Sequence, residues 1–116
     1  MKNRDIAILN KILEYIDGMN DTISEYKVDF NVFQNNRTMK NAIAMDIQQI
    51  GELANILTDE FTMENDKMPW RSIIAVRNRT AHGYGSIDLE VMWDIVTKNI
   101  PELKEYCESI IKEKQQ

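Results

Sequence analysis

The stretch that decides the fold is residues 37–61, which read RTMKNAIAMDIQQIGELANILTDEF. Its apolar residues recur at alternating spacings of four and three, the seam pattern of a helix in a left-handed helical bundle. We therefore predict a long helix from Arg37 to about Asp59 that packs along one face. The residues on this seam are Ile43, Ile47, Ile50, Ala54, Leu57 and Phe61.

The chain before this stretch also has a helical pattern. Apolar residues between Asp5 and Ile23 form two stripes, which predicts a first helix that either is central in the bundle or meets a partner subunit. Between residues 26 and 36 the pattern becomes irregular, and Asp29 is placed to cap a short helical turn. We expect a helix-turn-helix connection there.

The chain after the stretch predicts two further helices. Pro69 suits a first helical turn, so a third helix is expected from Pro69 to about Ala81. Ser86 or Asp88 can cap a last helix, in which Pro101 predicts a bend or break. The apolar residues that the third helix is expected to bury are Trp70, Ile73 and Ile74, with Val76 as a further candidate.

Composition supports a fold made only of helices. The 116 residues include 4 Gly and 2 Pro, far fewer turn formers than a β architecture of this length uses. We predict an all-α, up-and-down four-helix bundle with one additional short helix, and a single domain over residues 1–116.

Several classes of protein are excluded on composition. One Cys and one His cannot form a disulfide or a closed zinc site within the chain, so we expect no metal and no cofactor. No apolar run suits a signal peptide or a membrane span, which predicts a cytoplasmic protein.

The overall charge of −5 conceals a basic segment. Residues 67–87 contain four Lys or Arg and no acidic residue, whereas the other 95 residues have 10 basic against 19 acidic ones. A local cationic patch can hold a phosphate even on an acidic protein, because salt screens charges beyond about 8 Å. The alternative is that these cations form an ordinary solvated helix face.

The residues at the end of the third helix are those that RNA cleavage without a metal requires. His82 can take or give a proton near neutral pH, and Arg77 presents a planar cation that matches two phosphate oxygens. Asn78 and Arg79 are candidate supporting residues beside them. On an ideal helix Arg77 and His82 would diverge by about 140°, so their convergence needs the helix to end near Ala81. Alternatively, His82 is a helix C-terminal cation with no catalytic role.

The same residues resemble a known family. Arg77-Asn78, His82 and Tyr84 form an Arg-Asn-x3-His-x-Tyr pattern similar to that of HEPN-domain ribonucleases, in particular the HepT-like toxin branch. The resemblance extends to residues 50–54, 68–73 and 88–103, and so to most of the chain. Gly83 stands where relatives often have Glu.

The resemblance implies a function and a set of partners. It implies a homodimer in which two Arg-His motifs face one cleft and cut RNA without metal, leaving a 2′,3′-cyclic phosphate. tRNA is one candidate substrate, and assembly beyond the dimer is left open. It also implies a toxin-antitoxin system in which an MntA-like nucleotidyltransferase antitoxin adds AMP to Tyr84.

Two other functions are compatible with the sequence. The bundle could be a non-catalytic docking module or a substrate for a nucleotidyltransferase partner. A nucleotide-binding pocket is the weaker alternative, because Gly83-Tyr84-Gly85 follows a helix and is shorter than a phosphate-binding loop.

Overall fold

The computed structural model describes residues 3–81 and 89–114, with side chains described for residues 3–75 and 89–113. Across these residues all regular structure is helical, which confirms the predicted all-α class. A π-helical segment, Ile95–Asn99, joins the last two α-helices. In chain order the α-helices are α1 (Asn3–Glu25), α2 (Phe30–Asn35), α3 (Arg37–Asn55), α4 (Asp59–Glu64), α5 (Trp70–Ala81), α6 (Leu89–Asp94) and α7 (Ile100–Lys114).

Side-chain caps set the starts of three helices. The Asp29 carboxylate accepts a hydrogen bond from the Val32 N–H at 2.9 Å, which confirms Asp29 as the cap of the short helix α2. Asn36 caps α3 in the same way, through the Met39 N–H. Thr58 accepts from the Phe61 N–H and starts α4. The helix predicted to continue to Asp59 therefore ends at Asn55, and a second short helix follows it.

The two apolar stripes of α1 are occupied within the chain. Helix α1 packs against both α3 and α7, so it is the central helix of the bundle. This accounts for the buried residues of both stripes, whereas Ile6, Leu13, Tyr15 and Ile23 stay partly exposed. The apolar residues that α1 buries are Ile8, Leu9, Ile12, Ile16 and Met19.

One charged side chain is fully buried in the core. The Asp5 carboxylate accepts two hydrogen bonds from Thr58, from the backbone N–H at 2.9 Å and from the hydroxyl at 2.8 Å. Since the same hydroxyl accepts from the Phe61 N–H, Asp5 holds the start of α4 against the first turn of α1. This fixes the corner that leads from α3 towards α5.

The last long helix contains a π-helical turn where the sequence predicts a bend. Pro101 has no N–H to donate to Thr97, and its ring would crowd the Thr97 carbonyl in an α-helix. The wider turn avoids this clash, and the Ile100 N–H bonds instead to the Ile95 carbonyl. The irregularity is therefore placed as predicted, but the chain stays helical through it.

None of the helices within the described ranges is both long enough and apolar enough to cross a membrane.

Candidate functional site

The start of α5, which carries the predicted site residues, is fixed by Trp70. The buried Trp70 indole donates from Nε1 to the Asn65 carbonyl at 2.9 Å. Its ring lies 5.9 Å from that of Phe61 and 6.2 Å from that of Tyr106, between centroids. The first turn of α5 is thus attached to α4 and α7 together, which confirms the burial predicted for Trp70.

Among the described residues, helix α5 packs more extensively against α3 than against any other helix. Ala54 and Asn55 of α3 line one cavity with Trp70 and Ile74, at the start of α5. Earlier in α3, Ile50 lines a second cavity with Ile73. Ile73 and Ile74 are half-buried towards the core, and position 77 continues their stripe at helical spacing.

The predicted site residues are placed only in part. Arg77, Asn78 and Arg79 lie in the last two turns of α5, as predicted, and their side chains are not among those described. His82 and Tyr84 lie outside the described residues, as do the candidate caps of the last helix. The convergence of Arg77 with His82 therefore stays a prediction.

A cleft of about 350 Å³ lies between the first half of α5 and the last long helix. Ser72 and Ile73 form one side of it, and the partly exposed Val91 forms part of the other. Asp94 and Glu102 also line it, and Asp94 Oδ1 lies 3.6 Å from the Lys98 ammonium. None of the described residues that line the cleft is a Lys or Arg, so the cleft is not suited to holding a phosphate.

Asp46 is a titratable residue that the sequence analysis missed. It is half-buried on α3, and no hydrogen bond or ion pair joins it to a side chain that the structure describes. Burial raises the pKa of its carboxyl above the ordinary value of 3.8. The sequence feature that could have revealed Asp46 is its position on the helical stripe with Ile50 and Ala54, where an apolar residue is expected.

Two other titratable groups have structural explanations. Burial raises the pKa of the Cys107 thiol to about 12, with a smaller contribution from Glu108, so this residue packs as a small apolar side chain, as predicted. Burial also raises the pKa of Tyr106, and the carboxylate of Asp66 adds to the effect. Among the residues with described positions, no three potential ligands cluster as a metal site would require.

The fold and the basic helix together define a class of protein. The protein is a small helical bundle in which one helix, held by a tryptophan at its start, carries a cationic segment at its end. Such a segment is suited to binding a phosphate group.

Comparison with known proteins identifies the family. A family model described as Ribonuclease HepT-like matches residues 11–110, so the chain belongs to the HepT-like ribonuclease family. The family assignment made from the Arg77 to Tyr84 segment is confirmed.

Curated relatives match over nearly their whole length. The chain is 32% identical to "Putative RNase MJ1380" of Methanocaldococcus jannaschii, over 95% of this chain and 100% of that protein. It is 31% identical to "Putative RNase MJ1216" of the same organism, over 97% of this chain and 93% of the relative. "Probable ribonuclease HepT" of Thermococcus cleftensis is 27% identical, over 97% and 100%. No solved structure matches significantly.

Proposed function

We propose that this protein is a metal-independent RNA endoribonuclease that acts as the toxin of a toxin-antitoxin system. The observation that carries the proposal is the family match over residues 11–110, which includes the complete Arg-x4-His segment. The position of Arg77 on α5, at the end opposite to the Trp70 anchor, supports it.

The chemistry assigns one role to each residue. A base takes the proton of the ribose 2′-hydroxyl, and the 2′-oxygen attacks the adjacent phosphorus. The bond to the 5′-oxygen breaks, an acid protonates that oxygen, and a 2′,3′-cyclic phosphate remains. His82 supplies the proton transfers, and Arg77 stabilises the charge on the phosphate oxygens in the transition state. Asn78 and Arg79 orient these groups or the substrate.

A homodimer supplies the second proton-transfer group. One chain has one His, whereas the reaction needs both a base and an acid. Two copies of His82 facing one cleft provide both. Helix α1 packs against α3 and α7 within the chain, so the buried part of its apolar stripes is not available to a second chain.

The antitoxin acts on Tyr84. A nucleotidyltransferase partner of the MntA kind would transfer AMP to the phenol oxygen, two residues from His82. The added phosphate would repel RNA, and its bulk would block the imidazole. Intact-mass measurement of the toxin co-expressed with this partner should show one or more added AMP groups, and these should be absent from Tyr84→Phe.

An RNA cleavage assay in excess EDTA tests the proposed ribonuclease activity. We expect the wild type to cut RNA, and we expect Arg77→Ala and His82→Ala to lose at least about 100-fold in rate. Arg71→Ala is the matched control, because it removes an exposed cation from the other end of the same helix. Intact RNA with the wild type would contradict the proposal, and so would growth toxicity unchanged in His82→Ala. The latter result would favour the docking module.

A further inference from the structure

We propose that the surface formed by residues 26–41, from the end of α1 to the first turn of α3, binds single-stranded RNA. We call it the α2 surface, because α2 lies at its centre. The inference takes RNA as the ligand from the proposed function, and it adds a second RNA contact to the segment at the end of α5.

The charge of the α2 surface is opposite to that of the protein. Residues 26–41 contain three cations and one acidic residue, whereas the whole chain has a net charge of −5. Lys27 and Arg37 are exposed, and no ion pair joins either of them to a side chain that the structure describes. The acidic residue, Asp29, accepts the Val32 N–H at 2.9 Å as the cap of α2. Two exposed cations are therefore available to phosphate groups.

The backbone at Lys27 would suit a different residue. Lys27 follows α1 with a φ of 50°, in the left-handed region where glycine is the usual residue. The Val28 N–H bonds back to the Ile23 carbonyl at 2.9 Å, so this conformation closes the end of α1 and directs the chain towards α2. Glycine would serve this turn at least as well, and the property that lysine adds is its charge.

An aromatic ring and several amides accompany the cations. Tyr26 is 56% exposed, and a ring with this exposure offers a face on which a base can stack. The Asn35 amide donates to the Asn31 side-chain oxygen at 3.0 Å, so these two exposed residues form a pair one turn apart on α2. Such groups bind unpaired bases in single-stranded RNA. The five Asn and Gln residues of the surface are all exposed: Asn31, Gln34, Asn35, Asn36 and Asn41.

These features favour RNA over an acidic protein partner. The same cations would attract an acidic protein, but a stable protein interface has an apolar centre. Tyr26 is the one large apolar side chain that residues 26–41 expose beyond half-burial. The composition of the surface is thus that of a nucleic-acid site.

Binding of an RNA that cannot be cleaved tests the inference separately from catalysis. The probe is a fluorescent, unpaired 2′-O-methyl oligoribonucleotide of about 12 nucleotides, and its methylated 2′-oxygens cannot act as nucleophiles. Fluorescence anisotropy gives its affinity at several salt concentrations. We expect Lys27→Gln and Arg37→Gln each to weaken binding and to lower the slope of log affinity against log salt by about 0.7, and the double variant to lower it by about 1.4.

The matched control for charge is Lys11→Gln. It removes an exposed cation that lies about 20 Å from the end of α1 and is 3.9 Å from the Glu14 carboxylate. This variant should keep the affinity and the salt slope of the wild type. Lys27→Gly separates charge from fold, since its melting temperature should equal or exceed that of the wild type while its affinity falls as in Lys27→Gln.

The stacking contact has its own pair of variants. Tyr26→Ala should weaken binding by about 5- to 100-fold with the salt slope unchanged, because stacking adds affinity without releasing ions. Tyr26→Phe keeps the ring and should bind as the wild type does.

The outcomes distinguish this inference from the proposed function. Unchanged affinity and slope in the double variant, in a protein that cleaves RNA, would overturn the inference and leave the proposed function standing. Binding that weakens as expected, in a protein that leaves natural RNA intact, would support the inference and contradict the proposed function. A double variant that loses the antitoxin and keeps the RNA probe would assign the α2 surface to a protein partner and would also overturn the inference.

Discussion

At the scale of single residues, two carboxylates that the sequence does not distinguish have opposite situations. Asp5 is fully buried and accepts two hydrogen bonds from Thr58, whereas Asp46 is half-buried and has no partner among the described side chains. The first should stabilise the fold, because its two hydrogen bonds recover the cost of leaving water, whereas burial of the second disfavours its ionised form.

Asp5→Ala should destabilise the protein by about 2–4 kcal/mol. The substitution leaves the Thr58 N–H and hydroxyl without their acceptor at a partly buried site, and it removes the contact between α1 and the start of α4. Urea unfolding measures the change. Exposed Asp21→Ala, the control, should stay within about 0.5 kcal/mol of the wild type, and an equally small change in Asp5→Ala would contradict the assignment.

Asp46→Asn should be more stable than the wild type at pH 7, and the difference should depend on pH. Burial raises the pKa of Asp46 in the folded state, so the folded chain disfavours the ionised form that the unfolded chain accepts freely. The penalty is fully present above the folded pKa and disappears below the ordinary value of 3.8. Melting temperatures recorded from pH 3 to pH 8 should therefore converge at the acid end; parallel curves would contradict this.

At the scale of helices, the site depends on how α5 is anchored at its start. Trp70→Phe keeps an aromatic ring beside Phe61 and Tyr106 but removes the hydrogen bond to the Asn65 carbonyl. We expect a loss of about 1–3 kcal/mol in the free energy of unfolding. Trp93→Phe is the matched control, because the half-buried Trp93 stacks on Phe33 at 5.2 Å. If the two variants lose equal stability, the anchoring role of the indole N–H is wrong.

The helices also show which structural features a local sequence pattern can predict. The seam from Ile43 to Ala54 predicts α3 because its period is purely local, and Asp29 predicts the cap of α2 for the same reason. The boundary at Asn55 was missed, since the seam continues in register through Leu57 and Phe61 while Thr58 starts a new helix. That choice depends on Asp5, 53 positions away along the chain, which no local pattern reveals.

The candidate site was likewise predictable only where its residues are close together in the sequence. The Arg77 to Tyr84 segment is readable as a motif because its residues are adjacent. Asp46 cannot be recognised in the same way, because its half-burial depends on how other helices pack around α3.

At the scale of the whole molecule, the proposal requires two chains for one site. Adding a tenfold excess of His82→Ala chains to wild type, with time for subunit exchange, converts most wild-type chains into mixed dimers. If both imidazoles are needed, the activity per wild-type chain should fall by about tenfold, following the statistical loss of wild-type pairs. Activity that simply scales with the wild-type chains present would mean that each chain is a complete enzyme.

The chemistry of the RNA ends tests the central claim most directly. Mass spectrometry of fragments produced in EDTA should show 2′,3′-cyclic phosphate on one side of each cut and 5′-hydroxyl on the other, since the 2′-oxygen is the nucleophile. Fragments should be absent with Arg77→Ala and with His82→Ala. Fragments that carry 3′-hydroxyl and 5′-phosphate, or cuts that persist in both variants, would contradict cleavage by the guanidinium and imidazole of this segment.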